Sequence, residues 1–255
     1  FNAVIFDRLN VNFRTLKFLK KNNIKTIVFD NKSKGYNECD LGINAIFDNI
    51  KKYKNIRKGF KYLILPSASQ SQYNIKKESN TISIFFGGYD HRNLLFFIIP
   101  ILDKYLYNFK INIIITNLEN IKLKKIKNFI LTHNNFNKKS IKIYSNPKNF
   151  YKIICSSKFV VISGGLILYD CIYLKIPSIT IPQYKHQLFN ISKFIKDKLT
   201  IKGTNEFQLQ KSFTSIKIKH MIKNYKKIQK NLNSLNIIDG KGVSRLVGEI
   251  KKCLI

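Results

Sequence analysis

A chain of 255 residues, 44% hydrophobic and 24% charged, has room for two small cores and is neither a disordered nor a fibrous polymer. The net charge of +32 invites a nucleic-acid reading, but the basic residues comprise 41 Lys and only 5 Arg. Arginine is the residue suited to bidentate contact with phosphates and base edges, so the excess reads as solvated lysine faces and no specific nucleic-acid partner is expected. Loose attraction to an anionic membrane surface would be a by-product of that charge.

Cys39, Cys155, Cys171 and Cys253 show no CxxC spacing, which argues against a disulfide framework or a zinc site and for a reducing cytoplasm. The longest apolar run, LLFFIIPIL (94–102), is interrupted by Pro100 and falls short of the roughly 18 residues a membrane span requires. No secretion signal is visible. Phe1 in place of Met reads as a fragment, or as a chain that has lost its start.

In chain order, short β-rich apolar runs alternate with amphipathic segments, the pattern of βαβ units and parallel sheets. AVIFD (3–7) is a strand, 11–22 a helix, IKTIVFD (24–30) a strand, LGINAIF (41–47) a short buried strand and KYLIL (61–65) another. Residues 67–80, rich in Ser, Asn and Gln, read as a linker. Then come TISIFF (81–86) as a strand, a helix over 91–107, strands at 111–116 and 140–145 with a helix over 119–131 between them, and a short helix at 148–156. FVVIS (159–163) is a strand leading into a helix that ends near 174, PSITIP (177–182) a strand, 186–197 a helix and LTIKG (199–203) a short strand. The tail carries helices near 205–213, 217–235 and 242–254. The expected fold is α/β, with two Rossmann-like domains: an incomplete first one over 1–66 and a second over 81–255.

Ligands of open α/β sheets bind beyond the carboxyl ends of the strands. Two places are equipped for that. In FFGGYDHRN (85–93), Gly87 and Gly88 close a strand where backbone N–H groups can approach an anion and a helix begins. In VISGGLILYDCIYLKIPSITIPQYKHQLFN (161–190), Gly164 and Gly165 repeat the device, and Asp170 follows on the helix, where a carboxylate can accept from ribose hydroxyls. Gln183, His186, Gln187 and Asn190 cluster after the next strand, where amides can read sugar hydroxyls. The plainer reading of each stretch is a tight turn and an ordinary capped loop, and local pattern alone leaves both open. His91 lies near the same cleft, while His133 and His220 sit in Lys/Asn-rich stretches with no role. No metal-ligand spacing, GxSxG, Cys–His nucleophile or Walker loop is present, and no cofactor is called for.

Taken in order, IFFGGYDHRNL, ISGGLILYDCIYLKIPSITIPQYKHQLFN and IIDGKGVSRLV (237–247) resemble the C-terminal domain of glycosyltransferase B-type nucleotide-sugar enzymes. The nearest branch is that of the UDP-sugar hydrolase of pseudaminic acid synthesis and the spore-coat polysaccharide proteins, with the lipid-II-forming N-acetylglucosaminyltransferase more distant. The strand ending in Asp7, IVFDN (27–31), CDLGIN (39–44) and GFKYLIL (59–65) resemble the later half of that family's N-terminal domain.

The resemblance implies that a monomeric, cytoplasmic protein binds a UDP-sugar. Gly87, Gly88, Gly164 and Gly165 would face the diphosphate, Asp170 would stand where the family has a ribose-binding Glu, and His186, Gln187 and Asn190 would lie near the sugar. It implies hydrolysis releasing UDP from a UDP-amino sugar in surface-glycan synthesis, with glycosyl transfer, or nucleotide-sugar binding without catalysis, as alternatives. The family's glycine-rich loop with its histidine base would precede Phe1, so no residue of this chain is assigned as catalytic.

Overall fold

The computed structural model describes residues 1–31, 33, 36, 38–46, 53–65, 80–105, 108–116, 120–132 and 141–255. They form two compact units, Phe1–Ser67 with Ile237–Ile255, and Ala68–Asn236.

The first unit is a four-stranded parallel sheet of β1 (Ala3–Asp7), β2 (Lys25–Phe29), β3 (Leu41–Asn44) and β4 (Ile56–Lys58), paired in that order. Helix α1 (Phe13–Lys21) starts at Asn12, whose side chain accepts from the Arg14 amide at 2.8 Å, and ends in Lys20 and Lys21, which suit the negative end of its dipole. Leu16 of α1 is fully buried and packs with Val11, Val28, Tyr36, Cys39 and Ile56 in one core. The unit's last strand is Ile56–Lys58, which starts five residues before KYLIL (61–65) and does not overlap it. Gly59, at φ +97°, breaks the chain away from the sheet, and Phe60–Tyr62 winds into a 3-10 turn. Of the run predicted at 41–47, the strand covers Leu41–Asn44, and its last residue lies outside the described residues.

The second unit is a six-stranded, all-parallel sheet. Its strands are β5 (Thr81–Phe85), β6 (Lys110–Ile115), β7 (Ile141–Ser145), β8 (Phe159–Ser163), β9 (Ser178–Ile181) and β10 (Ile201–Lys202), in the spatial order β10-β9-β8-β5-β6-β7. Every residue of β8 and β9 is buried, as strands covered on both faces require. The crossover helices are α2 (Leu94–Tyr105), α3 (Asn120–Leu131), α4 (Phe150–Ser156), α5 (Leu166–Tyr173) and α6 (Gln187–Ile195).

The chain builds outward from β5 through β6 to β7, then returns through α4 to lay β8 on the other side of β5. The order therefore reverses between β5 and β8, and a crevice opens at their carboxyl ends. This topology puts the two Gly-Gly bends, which follow those two strands, next to each other.

The tail departs from expectation twice. Helix α7 is continuous over Lys211–Ser234; instead of a helix near 205–213, Asn205 and Gln208 form an antiparallel bridge around Glu206, whose φ of +50° no helix allows. Residues 237–255, expected in the second domain, belong to the first unit. There α8 (Gly242–Leu254) is held by Arg57 Nε donating to Glu249 Oε2 at 2.6 Å, and Arg245 grips Asp239 at 2.8 and 2.6 Å while also donating to the Lys61 carbonyl. The region expected as a linker falls almost wholly outside the described residues, as does His133.

Candidate functional site

The first bend begins where β5 ends. Gly87 sits at φ +87°, a conformation side chains resist, and Thr116 Oγ1 donates to its carbonyl at 3.2 Å. Asp90 then caps α2, its two carboxylate oxygens accepting from the Leu94 and Leu95 amides at 2.8 and 2.9 Å. Those amides are occupied, so at this bend it is the glycine backbone, not the helix start, that can meet an anion.

The second bend divides its work between two glycines. A Cβ on Gly164 would lie 2.9 Å from Ile191 Cδ1 and 3.0 Å from Gln187 Cβ, so this glycine lets α6 pack against the bend. Gly165 is the N-cap of α5 with no side-chain hydrogen bond, and a Cβ there would meet only Gln187 Nε2 at 3.6 Å and Ser163 Oγ at 3.9 Å. The amino end of α5 thus faces the crevice uncapped by any side chain, a natural place for negative charge.

Between the bends lies a cleft of about 550 Å³, lined among others by Gly87, Gly88, Gly165, Asp170, Gln187 and Tyr151. That volume suits a nucleotide-sized ligand. Asp170, four residues into α5, accepts from the Tyr151 hydroxyl at 3.1 Å. Burial raises its carboxyl from the usual 3.8 to about 6, against the lowering effect of the Tyr151 hydrogen bond. A carboxylate kept partly dehydrated beside a cleft is short of donors, and a ligand bearing hydroxyls would supply them.

The predicted sugar-side residues occupy three different settings. Gln187 lines the cleft, and its Oε1 accepts from the Gln183 amide at 2.8 Å, which turns its Nε2 toward Gly165. Asn190 is only 4% exposed and donates to the Gly164 carbonyl at 3.4 Å, so it lies beneath the bend. His186 is exposed at the start of α6, its ring stacked on Tyr184 at 5.5 Å and 8°.

Gln183 stitches the site together. Its Nε2 donates to the Phe86 carbonyl, its Oε1 accepts from the His91 amide at 2.8 Å, and it lies 6% exposed. Arg92 adds two further ties, donating to the carbonyls of Pro182 at 2.7 Å and Phe207 at 2.8 Å. The sequence pattern marks Gln183 only as one of a polar cluster and does not mark Tyr151 or Arg92 at all. The one local signal for Tyr151 is the Asn146-Pro147 break that starts α4 and aims its first turn at the crevice.

Among the described residues, no group of three His, Cys, Asp or Glu could hold a metal ion, and no helix is long and apolar enough to cross a membrane. No protein-family model matches the chain. MurG of Acinetobacter baumannii superposes on 98% of this chain and 73% of its own length, with a TM-score of 0.71 at 9% identity. MnaA of S. aureus, solved with UDP, covers 99% of this chain and 75% of its own, with a TM-score of 0.62 at 12% identity. This chain has their fold. It matches the two parallel-sheet, glycosyltransferase B-type architecture that the motifs imply. In sequence, the chain is 24% identical to the spore coat polysaccharide biosynthesis protein SpsG of Bacillus subtilis over 214 residues, 76% of this chain and 59% of that protein's length.

Proposed function

We propose that the cleft of the second unit binds a UDP-linked amino sugar, and that the intact protein cleaves its sugar–phosphate bond with water, releasing UDP during surface-glycan synthesis. The observation that carries this reading is the convergence of two glycine bends, the open amino end of α5 and a donor-poor carboxylate on one hollow. The similarity to a spore-coat polysaccharide protein and to a UDP complex supports the ligand class.

In this reading the diphosphate lies across Gly87, Gly88 and Gly165, where backbone amides and the α5 dipole offset its charge. Asp170 accepts from the ribose hydroxyls, which places the base toward Pro147, Phe150 and Tyr151. The sugar then lies toward His186 and the Nε2 of Gln187. Gly164 and Asn190 support the bend from behind. The residue that activates the attacking oxygen is outside this site. Attack by a sugar or lipid hydroxyl instead of water, making the protein a glycosyltransferase, is the second reading. The spinosyn rhamnosyltransferase SpnG, whose fold covers 97% of this chain with a TM-score of 0.61, favours it. Nucleotide-sugar binding without turnover is the third. The absence of paired cysteine spacing in the sequence supports a reducing cytoplasmic setting, and the protein is taken as a monomer.

Calorimetry tests the binding, with UDP expected to bind and Asp170→Asn to weaken it about tenfold, as loss of a charged hydrogen-bond partner does. Phosphorus NMR on UDP-N-acetylglucosamine, with and without an added acceptor, separates the three readings. UDP released in water alone marks hydrolysis, release only with acceptor marks transfer, and a bound but intact donor marks a binding protein. A chain that binds no UDP refutes all three.

A further inference from the structure

The rim of the cleft carries a row of exposed rings that the diphosphate and ribose contacts leave unused. Tyr89 and His91 come from the loop after β5, Tyr184 and His186 from the loop after β9. Their ring centroids are 4.3 Å apart for Tyr89–His91, 5.1 Å for His91–Tyr184 and 5.5 Å for Tyr184–His186. Tyr89 is 55% exposed and Tyr184 40% exposed, and with His91 they line the cleft. Large rings standing in water contribute little to a core. Here the two loops that present them are nonetheless fastened to each other by buried and half-buried polar ties: Gln183 to Phe86 and His91, and Arg92 to Pro182. Rings held in place from behind and left open in front have the form of a preorganised contact surface.

We propose that this row is a stacking wall for the apolar face of a pyranose ring, with Tyr184 as its principal contact, His91 beside it and Tyr89 beyond. The proposal rests on the nucleotide-sugar reading above and adds the specificity surface for the sugar. Gly87-Gly88 lead straight into Tyr89 and His91, while Gly164-Gly165 lead into the helix that carries Asp170, and both bends face one cleft. A nucleotide with its ribose on Asp170 and its diphosphate on the bends would direct the group beyond its second phosphate toward the wall. Axial C–H bonds on one side of a pyranose present a flat, weakly positive face that complements the negative face of an aromatic ring. A phenol or imidazole edge keeps a polar tip for the equatorial hydroxyls.

The test uses the full chain and two probes, UDP and UDP-N-acetylglucosamine, titrated by calorimetry into the parent, Tyr184→Ala and Tyr184→Phe. Tyr184→Ala is expected to bind UDP within about twofold of the parent and to lose roughly five- to tenfold in affinity for the UDP-sugar, while Tyr184→Phe keeps most of it. Unchanged UDP binding also shows that the variant is folded. In the parent complex, saturation of aromatic protons is expected to reach the sugar ring protons, and in Tyr184→Ala to reach them no longer. Equal losses for both probes, or no loss for either, overturn the wall while leaving the nucleotide site intact. A parent that binds neither probe overturns the nucleotide reading and the wall with it.

Discussion

Tyr151 and Asp170 meet across the cleft through a single 3.1 Å hydrogen bond, from the first turn of α4 to the middle of α5. That bond does not offset the dehydration of the carboxylate, whose pKa remains raised to about 6. Because the folded protein prefers the protonated acid, this group costs stability above pH 6, costs nothing below the usual 3.8, and changes over between the two values. Asp170→Asn, which keeps an acceptor for Tyr151, should stabilise the protein at pH 7 by on the order of 1–3 kcal/mol while it weakens UDP. Thermal unfolding measured at pH 7 and at pH 4 checks this: the gain should be present at the first pH and nearly gone at the second.

The same carboxylate sets the acid limit of binding. Ribose hydroxyls donate to the anion, so UDP affinity should fall as pH drops through 6 and hold steady above 7. In Asp170→Asn the part of that dependence owed to the carboxylate should vanish, leaving only that of the ligand's own terminal phosphate. Calorimetry across this range reads both curves, and a parent whose affinity is flat would separate Asp170 from the ligand.

The adjacent glycines of the second bend should respond to alanine in opposite ways. At Gly164 the new Cβ meets Ile191 Cδ1 at 2.9 Å and Gln187 Cβ at 3.0 Å, so α6 must shift, at a cost of about 1–3 kcal/mol in unfolding free energy. At Gly165 nothing lies closer than 3.6 Å, so stability should change little and UDP affinity should fall, because the methyl group enters the cleft. Denaturant unfolding alongside UDP titration distinguishes the two.

Gln183→Leu removes the tie that joins the Phe86 carbonyl and the His91 amide. Leaving those partners without their bonds should destabilise the protein by about 1–3 kcal/mol. Hydrogen exchange should show faster exchange at the His91 amide, while the Ile27 and Val28 amides of β2, which belong to the other unit, keep their protection.

Gly242→Ala should be among the most damaging single-methyl changes. Its Cβ would stand 1.9 Å from the Leu63 carbonyl oxygen, a backbone atom that no rotamer change can move. Gly248→Ala on the same helix has nothing within 4 Å and should stabilise by about 0.5–1 kcal/mol through helix propensity. Circular dichroism melts of the two variants should therefore move in opposite directions.

Much of this architecture was legible because buried parallel strands leave a strong trace. Runs such as FVVIS and TISIFF have no polar face, and each ends in paired glycines at the point where the sheet order reverses. Strand ends and the rule for open sheets pointed to Gly87, Gly88, Gly165, Asp170 and Gln187 as candidates, and the family resemblance, not spacing alone, grouped them into one expected site. KYLIL misled because an apolar run can be buried in a turn as readily as in a strand, and the φ of Gly59 decides between them. Tyr151 and Gln183 were not legible as partners, since the contacts that define them span 19 residues to Asp170 and 97 to Phe86. The placement of α8 was equally hidden: its amphipathic pattern requires some apolar surface without saying which, and it is the Gly242–Leu63 approach and the Arg57–Glu249 pair that identify it.

That last placement makes the first unit discontinuous in sequence, with the whole of the second unit inserted between its two segments. Ala68–Asn236 forms an uninterrupted stretch, whereas the smaller unit is assembled from the two segments that flank it, Phe1–Ser67 and Ile237–Ile255. A ribosome therefore completes every strand of the inserted body before the helix that seals its host emerges. Deleting Ile237–Ile255 would accordingly destabilise the unit to which Phe1–Ser67 belongs.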